Sequence, residues 1–219
     1  MQKSAFHNTL ISLLLATVAA SASASAVSVS VRDRSGAPVR DVVVIARSHA
    51  GTSRPAPEST PIVMDQMNRQ FAPYVVAVHT GASVLFTNSD SVAHQVYSFS
   101  PTRQFELGLY RGRPRSPIVF DKPGVVVLGC NIHDNMIGYV YVTDAPWFGT
   151  TGSDGNLQLS GLPAGDYVLE IWSPRQSARE SALQRSVAVG EQLLTVDFRF
   201  QYGLDAEPGP VHEQRLRDY

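Results

Sequence analysis

An all-β fold is what this sequence predicts, and three observations carry the prediction. Apolar and polar residues alternate in short runs such as Val27-Ser-Val-Ser-Val-Arg32 and Tyr167-x-Leu169-x-Ile171, the period of strands with one buried face. Turn residues, among them Asp33-Arg-Ser-Gly36, Thr80-Gly-Ala82 and Asp154-Gly155, punctuate these runs at short intervals. Between residues 62 and 143 no helical periodicity appears, so short strands joined by turns point to a sandwich or barrel.

Composition narrows the partners before any motif is read. With Lys+Arg 18 against Asp+Glu 19 in 219 residues, neither nucleic acid nor an anionic membrane is favoured. Residues 1–26 stand apart: Lys3 near the start, an apolar run over 10–20, and a small-residue series ending Ala24-Ser25-Ala26. This is the three-part pattern of a secretory signal peptide, with cleavage expected before Val27. No later segment approaches the roughly 20 apolar residues of a membrane span. The mature chain is therefore expected to be soluble and exported, in a bacterium to the periplasm. In that oxidising setting the single cysteine, Cys130, has no internal disulfide partner and needs another explanation.

In chain order, residues 27–48 hold two strand candidates around the 33–36 turn and are expected to form a hairpin. Residues 49–61 are rich in Gly, Ser, Thr and Pro and are expected to be a linker. Strand candidates then fall at 62–67, 74–79, 83–87, 95–99, 118–120, 125–128 and 137–142, within a domain expected over 62–143, long enough for a core of its own. Residues 148–201 carry an Asp-Gly turn, a Pro-x-Gly turn and four more strand patterns. Residues 202–219 are polar, with Pro208 and Pro210, and are expected to be a loosely ordered tail.

The chemistry concentrates in Gly129-Cys130-Asn131-Ile132-His133-Asp134-Asn135-Met136, directly after the apolar run 125–128. Thiolate, imidazole and thioether follow one another at three-residue spacing. Two His and one Cys with a weak axial Met is a donor set suited to copper in electron transfer. The second histidine is supplied by His94, at the end of the turn-rich stretch Asn88-Ser-Asp-Ser-Val-Ala-His94. Each residue alone has a plainer reading: a lone His is usually satisfied or solvent-facing, a lone Met fills core, and a lone Cys packs as a small hydrophobe. Their combination reverses the preference. His79 reads as a solvated edge histidine, His49 and His212 as linker residues, and Met64 and Met67 as packing.

The residues Phe71-x-Pro73, Gly81-x-x-Val84-x-Phe86-x-Asn88, His94 and Cys130-x-x-His133-x-x-Met136 resemble the cupredoxins, with ligand spacing similar to amicyanin and plastocyanin. The runs 96–100 and 120–134 resemble exported bacterial proteins labelled methylamine-utilisation or plastocyanin-like. The resemblance implies a Greek-key β-sandwich holding one type 1 copper ion through His94, Cys130, His133 and Met136. It implies further that Asn88 ties the two ligand loops together and that the edge of His133, set in an apolar patch with Ile132 and Ile137, is the electron exit. Gln95 departs from that pattern, standing where cupredoxins often have Asn. Residues 148–201 resemble the carboxypeptidase-regulatory or transthyretin-like sandwich without its first hairpin, which residues 27–48 resemble instead. The copper domain is then expected as an insertion in a split sandwich.

These readings imply a periplasmic electron carrier cycling Cu(II) and Cu(I) with a redox partner protein, not an enzyme: Cys130 and His133 lack the oxyanion feature and third group of a nucleophilic site. A copper-holding or copper-delivery module is the alternative, and a zinc or structural site is a third reading. Arg103, Arg111, Arg113 and Arg115 read as a basic loop, solvated or else docking an acidic partner.

Overall fold

The structure, a computed structural model, describes residues 25–51, 56–114, 116–133 and 135–206, and these contain strands, turns and loops without a helix. The first strands are β1 (Ser25–Arg32), β2 (Val43–Ser48), β3 (Ile62–Met67), β4 (Gln70–Ala72), β5 (Val75–His79), β6 (Ser83–Phe86), β7 (His94–Ser100) and β8 (Arg103–Tyr110). They are followed by β9 (Ile118–Val119), β10 (Gly124–Gly129), β11 (Ile137–Thr143), β12 (Trp147–Thr150), β13 (Asn156–Leu162), β14 (Gly165–Trp172), β15 (Leu183–Val189) and β16 (Leu194–Arg199). The fold is all-β.

Two sheets enclose the first core. In the order β13-β1-β16, the middle strand β1 runs antiparallel to β13 and parallel to β16. Alternation places Val27, Val29 and Val31 on one face of β1, all fully buried. They meet Val44 and Ala46 of β2 and Leu169 and Ile171 of β14, strands of the facing sheet β12-β2-β14-β15. Burying each such aliphatic side chain contributes about 1.5–3 kcal/mol.

The expected hairpin of residues 27–48 is not a hairpin, because β1 and β2 belong to these two different sheets. The Asp33 carboxylate accepts from the N–H groups of Ser35 and Ala37, at 2.8 and 2.9 Å, and curls the chain. One bridge, Arg32 to Pro38, follows. The buried Thr151 hydroxyl then donates to the Val39 carbonyl at 2.7 Å and accepts from the Val42 N–H at 3.1 Å, and the chain crosses to the facing sheet instead of pairing back.

The second core lies between β5-β11-β10-β7-β8 and β4-β3-β6-β9. Its inward residues include Met64, Phe86, Val96, Val126, Leu128, Val140 and Cys130. Along β10 the inward parity runs Val126, Leu128 and, one step past the strand, Cys130. A third cluster joins the two halves: Val43 and Ile45 of β2, with Phe148 and Trp172, pack on Val75, Tyr139 and Tyr141 of β5 and β11. Trp172 lies 5.8 Å from the Tyr139 ring and 5.3 Å from that of Tyr141.

Other expectations are corrected by the same structure. The stretch read as a basic loop is strand β8 from Arg103 onward, with Phe105 and Leu107 against the second core; Arg111 and Arg113 follow it, and Arg115 lies outside the described residues. Strands β4 and β12 have no counterpart among the sequence expectations. The expected signal peptide lies outside the described residues except for Ser25 and Ala26, which already belong to β1. Of the expected tail, residues 207–219 lie outside them too, and Asp205 is held to Arg175 by backbone and side-chain hydrogen bonds of 2.8 and 2.7 Å. Among the described residues no helix is long and apolar enough to cross a membrane.

Candidate metal centre

The Cys130 loop is pinned at both ends by glycines that admit aromatic rings. A Cβ on Gly129 would stand 2.7 Å from the Tyr97 ring, and one on Gly138 would stand 2.8 Å from Phe71. Between them the loop closes on itself, the Met136 N–H donating to the His133 carbonyl at 2.9 Å. Inward parity carries Cys130 into the end of the second core, where it is 4% exposed. Met136 is buried in the same cluster.

His94 reaches the same point from the opposite loop. It opens β7 opposite Tyr110, and the register between β7 and β8 slips just after it, with Val96 facing Leu107. Such a bulge re-aims side chains at a strand end. His94 is fully buried, and its Nδ1 lies 3.9 Å from the Cys130 Sγ. The His133 Nδ1 lies 3.9 Å from the same sulfur. The two imidazoles meet edge to face at 4.9 Å and 63°. Among the described residues His94, Cys130 and His133 form a group whose ligand atoms all lie within 4.8 Å of one another.

These distances fit a bound metal. With metal–sulfur and metal–nitrogen bonds of about 2.3 and 2.05 Å, an ion could reach the sulfur and either nitrogen, since each 3.9 Å separation is shorter than two such bonds end to end. A soft thiolate with two imidazoles in that arrangement suits copper, with zinc as the redox-silent competitor.

Protonation states favour ligation. Burial pushes the His133 pKa down, the neighbouring His94 and Arg69 act in the same direction, and Asp90 opposes them. Its imidazole is therefore neutral at pH 7, with a lone pair to offer. The His94 Nε2 lies 2.7 Å from the Asp90 Oδ2; a carboxylate only accepts, so Nε2 carries the proton and Nδ1 faces the sulfur. Burial would push the Asp90 carboxyl up, but hydrogen bonds from the Arg69 N–H, His94 and the Asn68 N–H outweigh it and hold it below the usual range.

Asp90 is the residue that sequence reasoning missed; a carboxylate four residues before a candidate ligand histidine was its signal. Asn88 behaves differently from the expectation. Its amide donates to the carbonyls of Val92 and Tyr110, at 3.0 and 2.8 Å, and its Oδ1 accepts from the Asp90 N–H at 3.0 Å. It thus ties the His94 loop to β8 and, among the described residues, not to the cysteine loop. Gln95 donates to Glu106 at 2.5 Å. Ile132 is 50% exposed and Ile137 half-buried on either side of His133 in the chain.

The remaining candidates lie outside the group. His79 is not a solvated edge residue: it sits 2.8 Å from Glu58 and edge-on to Phe148 at 4.6 Å. Met64 is buried as expected for packing, whereas Met67 is 47% exposed at the end of β3. His49 is exposed, and His212 lies outside the described residues.

The chain matches no family model and no curated protein. Solved structures with a similar part include a copper-containing nitrite reductase from Thermus scotoductus, at 25% identity over 42% of this chain and 24% of that one, with a TM-score of 0.37. This chain thus spans about a quarter of that enzyme. A purple cupredoxin from Nitrosopumilus maritimus is similar at 23% identity over 37% of this chain and 99% of its own, with a TM-score of 0.35. A variant of amicyanin is similar at 18% identity over 46% of this chain and 98% of its own, with a TM-score of 0.34.

Proposed function

We propose that this protein is a one-electron carrier of the cupredoxin kind, exported to the bacterial periplasm, with one type 1 copper held by His94, Cys130 and His133 and by Met136 as weak axial donor. The observation that carries the reading is a buried thiol with an imidazole nitrogen 3.9 Å away on either of two loops. A copper ion bound there supplies exchange of one electron between its two oxidation states.

The chain's own residues supply the rest. His94 opens β7 and Cys130 follows β10 by one residue at an inward position, so these donors are set by strand ends and need little rearrangement between states. Burial of His94, Cys130 and Met136 keeps water from the donors. His133, less buried and flanked by Ile132 and Ile137, is the exit for the electron and the centre of the contact with a redox partner protein. Residues 62–143 form the copper domain, inserted between residues 27–48 and 148–201 of the second sandwich. The proposed role is electron transfer without turnover of a substrate, since the Cys130 thiol is 4% exposed at the end of the core and out of a substrate's reach.

Titration with Cu(II) tests this. One equivalent is expected to produce an intense visible thiolate band, bleached and restored by reduction and reoxidation, with slow copper loss. Absence of the band, or its persistence in Cys130→Ser, overturns the proposal. A colourless protein that holds zinc tightly points to the structural reading, and rapid copper loss to a competing chelator points to copper delivery.

A further inference from the structure

We infer that Asp90 is a positioning residue of the metal centre, fixing the orientation of His94 and favouring the more highly charged state of a bound copper; the inference rests on the copper reading above. His94 is fully buried, and one face of its ring chemistry is spent on Cys130. The other nitrogen has Asp90 as its partner at 2.7 Å. A backbone carbonyl in that place would orient the ring equally well. A carboxylate adds a negative charge behind the ligand, which raises the basicity of the imidazole and opposes loss of positive charge on reduction.

Asp90 is itself held by three further hydrogen bonds, two of them to its carboxylate. Its Oδ1 accepts from the Asn68 N–H at 2.7 Å and its Oδ2 from the Arg69 N–H at 2.9 Å. Those two residues make the turn between β3 and β4, both in the left-handed region at φ 56° and 57°, a conformation that aims successive N–H groups into one concavity. On the other side the Asp90 N–H is bound by the Asn88 side chain at 3.0 Å. A turn of one sheet is thereby linked through Asp90 and His94 to Cys130, and the ring of His94 cannot rotate without releasing the acceptor that the turn holds in place.

Two substitutions separate orientation from charge. Asp90→Asn removes the charge and keeps an oxygen for His94 Nε2 and the Arg69 N–H, at the cost of the acceptor that Oδ1 offers the Asn68 N–H; Asp90→Ala removes every acceptor. Outer partners of ligating histidines typically contribute about 10–100-fold in metal affinity. In Asp90→Asn the thiolate band is expected to persist while Cu(II) affinity falls about tenfold relative to Cu(I). For one electron that equals a rise of about 59 mV in reduction potential. Asp65→Asn is the control: Asp65 accepts from the Thr87 hydroxyl at 2.6 Å and touches no ligand, and its loss is expected to leave the potential in place.

The apoprotein gives a readout free of metal. Ring nitrogen NMR shifts of His94 are expected to show the proton on Nε2 in the wild type and in Asp90→Asn, and a mixture of tautomers in Asp90→Ala. An unchanged potential in Asp90→Asn, or an unchanged tautomer in Asp90→Ala, overturns the inference. A wild type without a thiolate band overturns the copper reading instead, and the tautomer comparison still decides whether Asp90 orients His94.

Discussion

Substituting Gly138 by Ala probes the packing that supports the cysteine loop. Gly138 lies on β11, two residues after Met136, and pairs with Leu128 of β10. Its added Cβ would stand 2.8 Å from both Cβ and Cγ of Phe71 and 2.9 Å from Cδ2, well inside the 3.5–4.0 Å optimum for carbon atoms. The ring cannot swing clear, because the nearest atom is bonded directly to the backbone of β4 and Phe71 is 3% exposed. Either β4 moves away from β11 or Phe71 leaves its rotamer, at a cost of about 1–3 kcal/mol. Phe71→Ala alone removes a buried ring and costs about 3–5 kcal/mol. In the double variant the clashes with Cγ and Cδ2 are gone while the Cβ at position 71 stays, so the strain is partly relieved and the combined loss falls short of the sum by about 0.5–3 kcal/mol. Urea denaturation of the metal-free proteins measures all three, free of the stabilisation that bound metal adds. Additivity within about 0.5 kcal/mol, or a Gly138→Ala variant as stable as the wild type, refutes the packing argument.

Three further outcomes follow from other contacts. Thr151→Ala leaves the buried Val39 carbonyl and Val42 N–H without their partner and is expected to cost about 1–3 kcal/mol, read from thermal denaturation; Thr151→Ser, which retains the hydroxyl, recovers most of it. Burial would raise the Asp65 carboxyl, but hydrogen bonds from Thr87, Ser89 and the Gln66 N–H outweigh it and hold its pKa below the ordinary 3.8. Unfolding therefore takes up a proton at low pH, so this stability is complete above about pH 4 and is lost as pH falls through the depressed folded-state value. Denaturation of the apoprotein from pH 6 to pH 3 is expected to show the loss, with a shallower slope in Asp65→Asn; equal slopes contradict it. Copper removal is expected to lower the melting temperature of the wild type and to leave that of Cys130→Ser nearly unchanged, because a ligand stabilises only the state that binds it.

What was legible in the sequence depended on how local its cause is. Cys130, His133 and Met136 belong to one loop, so their spacing alone suggests a shared task, and His94 is marked by the turn residues before it. The inward parity of Cys130 also follows from Val126 and Leu128 on β10. Asp90 is as close in sequence to His94, but its role depends on the β3–β4 turn closing over it, which no local pattern announces. Strand β8 is obscured because Gly108 and the arginines on either side of Phe105 and Leu107 read as loop, while the core contacts of those two residues come from distant strands. The supposed hairpin of residues 27–48 fails for a similar reason. Its turn chemistry at Asp33 is real, yet Thr151, more than a hundred residues away, carries the chain to the facing sheet. The parallel pairing of β1 with β16 is equally beyond any window of local sequence.

X-ray absorption at the copper edge, on oxidised and reduced protein loaded with one equivalent, tests the central claim most directly. The account predicts one short copper–sulfur bond and two copper–nitrogen bonds in both states, with little change on reduction, and loss of the short sulfur shell in Cys130→Ser. A shell of nitrogen and oxygen alone, or one that loses a histidine on reduction, would contradict it.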